Sequence, residues 1–283
     1  MIKKSFSTFI VLFFVANLFS QTSEDKKYSL ISATENVSIS FLDILDPYLS
    51  PLTYNGLGVG YEHAERKYFN PENSKFSMQG KLNALVGLGF NPAYTAAMTY
   101  IGGNYNWGAF YHYRPLKNWQ ILAGATTDAQ LGVKSLSRNV NNPVNVDLAV
   151  NLNLAGQARY DFNIFRQPVR LNYELEIPIL GCMFVPLAGA SYYEMFDLWN
   201  LNNAIHFSSL HNKLGLKSAL TLDFFLKKST LQVGFANQNL LYEANNMVFK
   251  QNLLAFNIAY KYDFYIFKGR KNQAPANFMS SEK

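Results

Sequence analysis

Residues 144–164 read VNVDLAVNLNLAGQARYDFNI, in which apolar or small side chains occupy the even positions and Asn, Asp, Gln and Arg occupy most of the odd ones. Side chains alternate between the two faces of a strand, so one face of this segment meets an apolar medium and the other meets water. Strands of globular proteins usually run for only about 5–6 residues. A strand of this length indicates that the chain crosses a thicker layer than the core of a soluble domain.

The same period of two recurs along the chain. The other segments that share it are 30–41, 53–68, 75–88, 94–114, 119–134, 169–179, 214–224, 230–238 and 254–266. Beyond the N-terminus no apolar run approaches the roughly 20 residues that a membrane helix needs. Because hydrocarbon offers no partner to a free strand edge, spanning strands must close into a ring. The sequence therefore predicts an all-β fold, a transmembrane antiparallel up-and-down β-barrel of about ten strands, within a range of roughly ten to twelve.

The first residues resemble an export signal. Lys3 and Lys4 precede a mostly apolar stretch from Phe6 to Phe19, which is too short to span a bilayer as a helix, and the small Ser20 favours cleavage before Gln21. We therefore assign residues 1–20 to a signal peptide, 21–268 to an outer-membrane β-barrel domain and 269–283 to a short basic C-terminal tail. The predicted location is the outer membrane of a Gram-negative bacterium.

Composition excludes several classes of protein. Cys182 is the only cysteine, so an internal disulfide framework is ruled out and a lipid-anchored start is not expected. The formal net charge is +6, but Lys and Arg are scattered and do not cluster with aromatic residues, so nucleic-acid binding has no support. No His, Cys or carboxylate spacing matches a metal site, and we predict neither a metal nor a cofactor.

Connection lengths orient the predicted barrel. Outer-membrane barrels keep short turns on the periplasmic side and longer loops outside. The predicted short turns are Asn70–Ser74, Pro115–Asn118, Phe165–Pro168 and Lys227–Ser229. The predicted outer loops are Asp46–Leu52, Arg138–Pro143, Pro186–Leu210 and Asn239–Phe249. The expected partners are outer-membrane lipid and lipopolysaccharide. In addition, the last strand carries Asn257, Ala259, Tyr262 and Phe264, a pattern similar to the signal read by the barrel assembly machinery.

Two short segments carry a family resemblance. They are Tyr48-Leu-Ser-Pro-Leu-Thr-Tyr-Asn-Gly56, after the first strand, and Ser208-Ser-Leu-His-Asn-Lys213, at the start of the eighth. Together with the barrel pattern they resemble a family of uncharacterised outer-membrane β-barrel proteins of Bacteroidetes-type bacteria, classed as a domain of unknown function. The resemblance implies the same location and fold, and it implies no activity.

Three functional hypotheses follow from particular residues. Charged side chains on the inward faces predict either a network that fills the lumen or the lining of a narrow solute channel, with Arg159 and Glu174 as a predicted pair. The members of this set are Asp128, Lys134, Arg159, Asp161, Arg170, Glu174, Glu176, Lys217 and Asp223. A second hypothesis is surface binding through aromatic residues of the long outer loop, which could equally fold inward as a lid: Tyr192, Tyr193, Phe196 and Trp199.

The third hypothesis is an outer-membrane lipid esterase. His206 and Ser208 could act as base and nucleophile, with Asn212 or Glu194 as the orienting group. Residues i and i+2 share a face of any strand, so the spacing alone is weak, and our prediction is that the chain is not an enzyme. The sequence predicts an integral outer-membrane β-barrel that is a plugged structural barrel or a narrow channel, with surface binding as the alternative.

Overall fold

The computed structural model describes residues 28–68, 75–140, 142–198, 201, 203–226 and 229–267. These residues form eleven β-strands and one short π-helical turn, Tyr193–Asp197. The strands are β1 Tyr28–Asp46, β2 Ser50–Tyr68, β3 Phe76–Phe90, β4 Ala97–Leu116, β5 Trp119–Leu136, β6 Val144–Ile164, β7 Gln167–Phe184, β8 Ile205–Ser209, β9 Lys213–Phe225, β10 Thr230–Ala244 and β11 Met247–Phe267. The predicted signal peptide and C-terminal tail lie outside the described residues.

The strands form a closed antiparallel barrel, as the alternation predicts. Strands β1 to β7 pair in chain order, and β1 pairs with β11 from Tyr28 opposite Phe267 to Leu45 opposite Lys250, which closes the ring. Strand β7 pairs with β8 near one end and with β9 near the other. Strands β8 and β9 therefore share one position, and the ring has ten positions. We call the end that holds Tyr28 and Phe267 the base, and the opposite end the rim.

The shared position of β8 and β9 contains a notch in the hydrogen-bonded ladder. Glu176 of β7 lies opposite Lys217, whereas Leu180 lies opposite Ser209, so the ladder skips several residues between these pairs. Pro178, which has no N–H to donate, lies in the gap. A Cβ on Gly215 would lie 2.5 Å from Pro178 Cγ, so the glycine allows the two chains to approach. Side-chain packing closes the ring at this notch.

The outer face of the barrel is apolar. On β6 the even-numbered Val150 and Leu154 are more than half exposed, whereas the odd-numbered Asn151 and Asn153 are buried. Aromatic rings lie on the outer face near the base, with the Trp119 and Tyr160 ring centroids 4.9 Å apart. An apolar exterior, a polar interior and an aromatic border are the features of a transmembrane β-barrel. No helix in the described ranges is long and apolar enough to cross a bilayer.

One outer connection is much shorter than the sequence predicts. The predicted loop Asn239–Phe249 is a two-residue turn, because β10 continues to Ala244 and β11 begins at Met247. Asn245 and Asn246 have φ values of 54° and 58°, the left-handed conformation that a type I′ hairpin turn requires at both positions. Asn adopts this conformation more readily than most residues, which explains why two asparagines suffice here. The prediction of a long loop is wrong.

Candidate functional site: a lumen closed at the rim

The charged residues predicted to face the lumen all project inward. Asp128, Lys134 and Asp223 are at most 3 % exposed, and ion pairs join Lys217 to Asp128 at 2.8 Å and Lys261 to Asp223 at 2.7 Å. The others in the predicted set are Arg159, Asp161, Arg170, Glu174 and Glu176. Charges buried in a narrow barrel are costly unless they are paired, so this pairing is what a filled lumen requires.

Several of these bonds cross the lumen. Lys81 Nζ of β3 lies 2.7 Å from Glu174 Oε2 of β7, and Arg66 Nη2 of β2 donates to Gln157 Oε1 of β6 at 2.8 Å. These strands are not neighbours in the ring, so each bond spans the interior. The predicted pair between Arg159 and Glu174 is wrong, because the register places Gln157 opposite Glu174 and Arg159 opposite Asn172.

The rim end of the lumen is filled by apolar and aromatic side chains. We call this set the rim plug, and its buried members are Ile44, Tyr48, Leu49, Tyr54, Met98, Tyr100, Leu136, Met183, Val185, Ala244, Met247 and Phe249. Phe249 and Met98 are each 1 % exposed, and the Tyr242 and Phe249 rings stack with centroids 4.7 Å apart. Apolar constrictions of this kind exclude water from a pore.

A charged cluster is enclosed within the rim plug. Lys134 Nζ lies 3.0 Å from Asp46 Oδ2 and 2.9 Å from Asp147 Oδ1, and all three side chains are nearly or fully buried. Asn145 Nδ2 donates to the same Asp46 oxygen at 2.7 Å, and the Tyr48 backbone N–H donates to the other Asp46 oxygen at 3.2 Å. We call Asp46, Lys134 and Asp147 the rim triad. It ties β1, β5 and β6 together across the lumen.

The long outer loop between β7 and β8 contributes to the closure. Tyr192 from this loop donates its hydroxyl to Asn145 Oδ1 at 2.8 Å, and the Tyr48 hydroxyl donates to the Ala190 carbonyl at 2.8 Å. Burial, reinforced by the Asp46 carboxylate, raises the pKa of Tyr48 to about 12, and burial also raises the pKa of Tyr192 above its usual range. Both hydroxyls therefore remain protonated donors at neutral pH.

The four aromatic residues predicted for surface contact have different positions. Tyr192 folds inward, as the lid alternative requires, and its ring stacks on Phe196 with centroids 5.8 Å apart. Phe196 remains 48 % exposed and Tyr193 63 % exposed. Trp199 lies outside the described residues. The loop therefore presents one set of rings to the lumen and another to solvent.

A polar cavity of about 300 Å³ lies below the rim plug. It extends from Tyr100, a member of the rim plug, and from Gln251 towards Ser32 and Lys261 near the base. Neutral side chains from β1, β10 and β11, with Lys261 as the exception, form one wall, and charged side chains from β2, β3, β6, β7 and β9 form much of the rest. The set of lumen-facing charged residues predicted from the sequence does not include Glu62, Arg66 and Lys81 of this wall, although all three occupy inward positions of their strands.

The residues of the esterase hypothesis do not form a catalytic arrangement. His206 and Ser208 project into the lumen from β8, and Ser208 is 1 % exposed, so lipid on the outer face cannot reach it. Ser208 Oγ and His206 Nε2 have no hydrogen-bond partner in the described part of the chain. The two proposed orienting groups bind elsewhere, Asn212 to the Phe207 carbonyl and Glu194 to the Ser191 N–H.

The buried Ser208 hydroxyl leads to a stability prediction. Ser208→Ala should leave the free energy of unfolding unchanged or raise it by up to about 1 kcal/mol, because it removes a buried group that lacks a partner. Ser77→Ala is the matched control: Ser77 is also buried but lies 2.7 Å from His112 Nε2, so its loss should cost about 1 kcal/mol. Urea unfolding of the refolded protein measures both. A larger loss for Ser208→Ala than for Ser77→Ala, or lipid-ester cleavage that requires Ser208, would contradict this assignment.

A polar cluster also lies on the outer face towards the base. Glu35 accepts hydrogen bonds from the Tyr61 hydroxyl at 2.5 Å and contacts His63 Nδ1 at 2.8 Å, and His63 Nε2 lies 3.4 Å from Glu65. These groups satisfy one another on a surface that is otherwise apolar. Within the described ranges, no group of three or more His, Cys, Asp or Glu side chains is arranged to hold a metal ion.

Comparison with known proteins gives a family and several similar barrels. A family model described as "Protein of unknown function (DUF3316)" matches residues 7–271. The outer membrane protease OmpT from Escherichia coli is 7 % identical, with 87 % of this chain and 100 % of that chain covered and a TM-score of 0.46. The β domain of the Bordetella autotransporter BrkA is 9 % identical, with 83 % and 99 % covered and a TM-score of 0.45. The KdgM porin is 9 % identical, with 80 % and 99 % covered and a TM-score of 0.31. No curated protein matches the chain.

Proposed function

This chain belongs to the DUF3316 family of proteins of unknown function, and we propose that it is an outer-membrane β-barrel whose resting lumen does not conduct solutes. The observation that carries the proposal is the rim plug, in which Met98 and Phe249 are buried at the rim end of the lumen. The apolar exterior supports residence in a membrane, and closure of the ring by β11 is compatible with assembly by the barrel machinery. We also propose that residues 1–20 direct export. A Bacteroidetes-type origin is part of the same proposal and rests on the family resemblance of Tyr48–Gly56 and Ser208–Lys213.

Two features of the lumen favour a filled barrel over an open channel. Bonds such as Lys81 to Glu174 cross the interior between strands that are not neighbours. The rim triad is enclosed by aromatic and aliphatic side chains, so the described residues leave water no continuous polar path at the rim. A barrel of about ten strands is also only slightly wider than an eight-stranded barrel, whose interior side chains fill it.

Single-channel recording in a planar bilayer tests the proposal. The wild-type barrel should give no discrete current steps, because the rim plug interrupts the water path. The double variant Tyr48→Ala, Tyr192→Ala should give steps, since it removes the two rings that join the β7–β8 loop to β1 and β6. Tyr193→Ala is the matched control, because this tyrosine lies on the same loop but is 63 % exposed, and it should remain silent.

One result would contradict the proposal, and another would contradict the role assigned to Tyr48 and Tyr192. Discrete steps from the wild-type protein would show an open lumen. Silence of the double variant, with correct insertion shown by its heat-dependent migration on a gel, would mean that the rings of Tyr48 and Tyr192 do not hold the lumen closed.

A second candidate role is surface contact through the rim loops. The observation that favours it is the exposure of aromatic rings at the rim, with Tyr94 80 % and Tyr193 63 % exposed. Exposed aromatic side chains on loops often mark contact sites. Lipopolysaccharide is the proposed partner because it forms the leaflet that would surround the rim. Binding of purified lipopolysaccharide to the refolded barrel, with and without these rings, tests this role.

A further inference from the structure

The cavity below the rim plug contains a buried cation that forms no ion pair within 4 Å among the described residues. Arg159 is 8 % exposed and lines the cavity. Its one polar contact in the described residues is a hydrogen bond from Nη2 to Gln157 Oε1 at 3.3 Å, and it forms no ion pair there. A guanidinium has five N–H donors, so most of its hydrogen-bonding capacity is directed at the cavity. A buried charge without a partner is costly, which makes this position informative.

A second guanidinium converges on the same point. Arg66 Nη2 donates to the same Gln157 oxygen at 2.8 Å and also to Gln79. Arg66 also lines the cavity, and it is 6 % exposed. Two like charges that share one amide oxygen repel each other. The Glu174 carboxylate attracts both guanidiniums and relieves part of that repulsion, and an anion placed between them would relieve more. Arginine binds a carboxylate with two parallel hydrogen bonds, which suits this geometry.

The cavity also contains an acidic group whose only favourable interactions in the described residues are longer-range attractions to Lys81 and Lys217. Glu62 lines it from β2 and is half-buried, and it forms no hydrogen bond or ion pair in the described part of the chain. Its neighbour Glu174, in contrast, is paired with Lys81 at 2.7 Å. The cavity therefore offers a pair of guanidinium groups and one carboxyl group for a ligand, together with neutral hydrogen-bonding side chains such as Asn36 and Ser38.

We propose that this cavity binds a small zwitterion of the amino-acid or dipeptide class, with its carboxylate at Arg159 and Arg66 and its ammonium at Glu62. The volume of about 300 Å³ is at the lower end of small-molecule sites, which limits the ligand to this size. The site does not depend on whether the rim conducts, because all of its groups lie below the rim plug.

Calorimetric titration of the refolded barrel in detergent tests the site. The probes are L-alanine and L-alanyl-L-alanine, two zwitterions that differ in the distance between their charges. Acetate and ethylamine are the controls that carry one charge each. At least one zwitterion should bind saturably, and at least tenfold more tightly than either control. Failure of both zwitterions to bind, or acetate binding as tightly as they do, would overturn the proposal.

Two variants and a matched control locate the binding. Arg159→Gln and Glu62→Gln should each weaken zwitterion binding at least tenfold. Lys213→Gln should leave it unchanged, because Lys213 is also a buried cation but contacts Asn151 and does not line this cavity. Binding that is insensitive to both of the first two variants would overturn the proposal. If Arg159→Gln does not refold, Glu62→Gln and the single-charge probes decide the question.

Discussion

Lys134→Met should lower the free energy of unfolding by about 3–5 kcal/mol, because it leaves two buried carboxylates without their cation. Lys134 is 2 % exposed and contacts Asp46 and Asp147 within 3.0 Å. Its ammonium also lies 5.9 Å from the centroid of the Phe249 ring, a contact that the variant removes as well. Urea unfolding in detergent, followed by tryptophan fluorescence, measures the loss.

Two controls separate charge from packing. Lys67→Met changes an exposed lysine and should shift the unfolding free energy by no more than about 0.5 kcal/mol. The triple variant Lys134→Met, Asp46→Asn, Asp147→Asn removes all three charges and should recover much of the loss, since replacing a whole buried ion cluster is far less costly than breaking it. A loss below about 1 kcal/mol for the single variant would show that the rim triad does not stabilise the barrel.

Val150→Arg should cost about 2–4 kcal/mol of folding free energy in lipid vesicles, because it places a cation on the apolar outer face near the bilayer midplane. Val150 is 58 % exposed and lies in the outward apolar run of β6, four residues from the middle of the strand. Leu152, the next outward residue of the strand, should behave in the same way. Reversible unfolding in vesicles of defined lipid composition measures the difference from wild type.

The control for this variant has to face the cavity. The sequence predicts that arginine is tolerated at Asn151 because that side chain points inward, but the structure contradicts this. Asn151 is 4 % exposed, donates to Asp128 and accepts from Lys213, so an added arginine would meet both packed groups and a like charge. Ser38→Arg faces the polar cavity and should cost less than half as much as Val150→Arg. Equal costs at Ser38 and Val150 would show that the assignment of the two faces is wrong.

The period of two along the chain was enough to predict the barrel and the face of almost every strand residue. It succeeds because side-chain direction in a strand depends only on position, and a barrel has one apolar and one polar side. The same signal contained a hint of the rim plug. Leu42 and Ile44 are apolar although they project inward, whereas the inward positions of most other strand segments carry polar residues, so an apolar interior is indicated at this end of β1.

Contacts across the lumen could not be predicted in this way. The rim triad joins residues on β1, β5 and β6, and their proximity depends on how the whole ring closes and tilts. The error at Arg159 has a local cause. The predicted turn Phe165–Pro168 is two residues longer than the real one, since β7 begins at Gln167, and this shifts the register of β6 against β7. A shift of two residues preserves the face of each side chain but changes its partner.

The notch between β7 and the β8–β9 position has a mechanical consequence. Around the rest of the ring, lateral pressure from the bilayer is carried by ladders of hydrogen bonds that contain no more than one register shift each. Between Glu176 and Leu180 it is carried by the contact of Gly215 with Pro178 instead. Load will concentrate at this joint when the barrel is compressed or stretched. The barrel is therefore an elastic ring with one compliant joint, placed beside the loop that closes its rim.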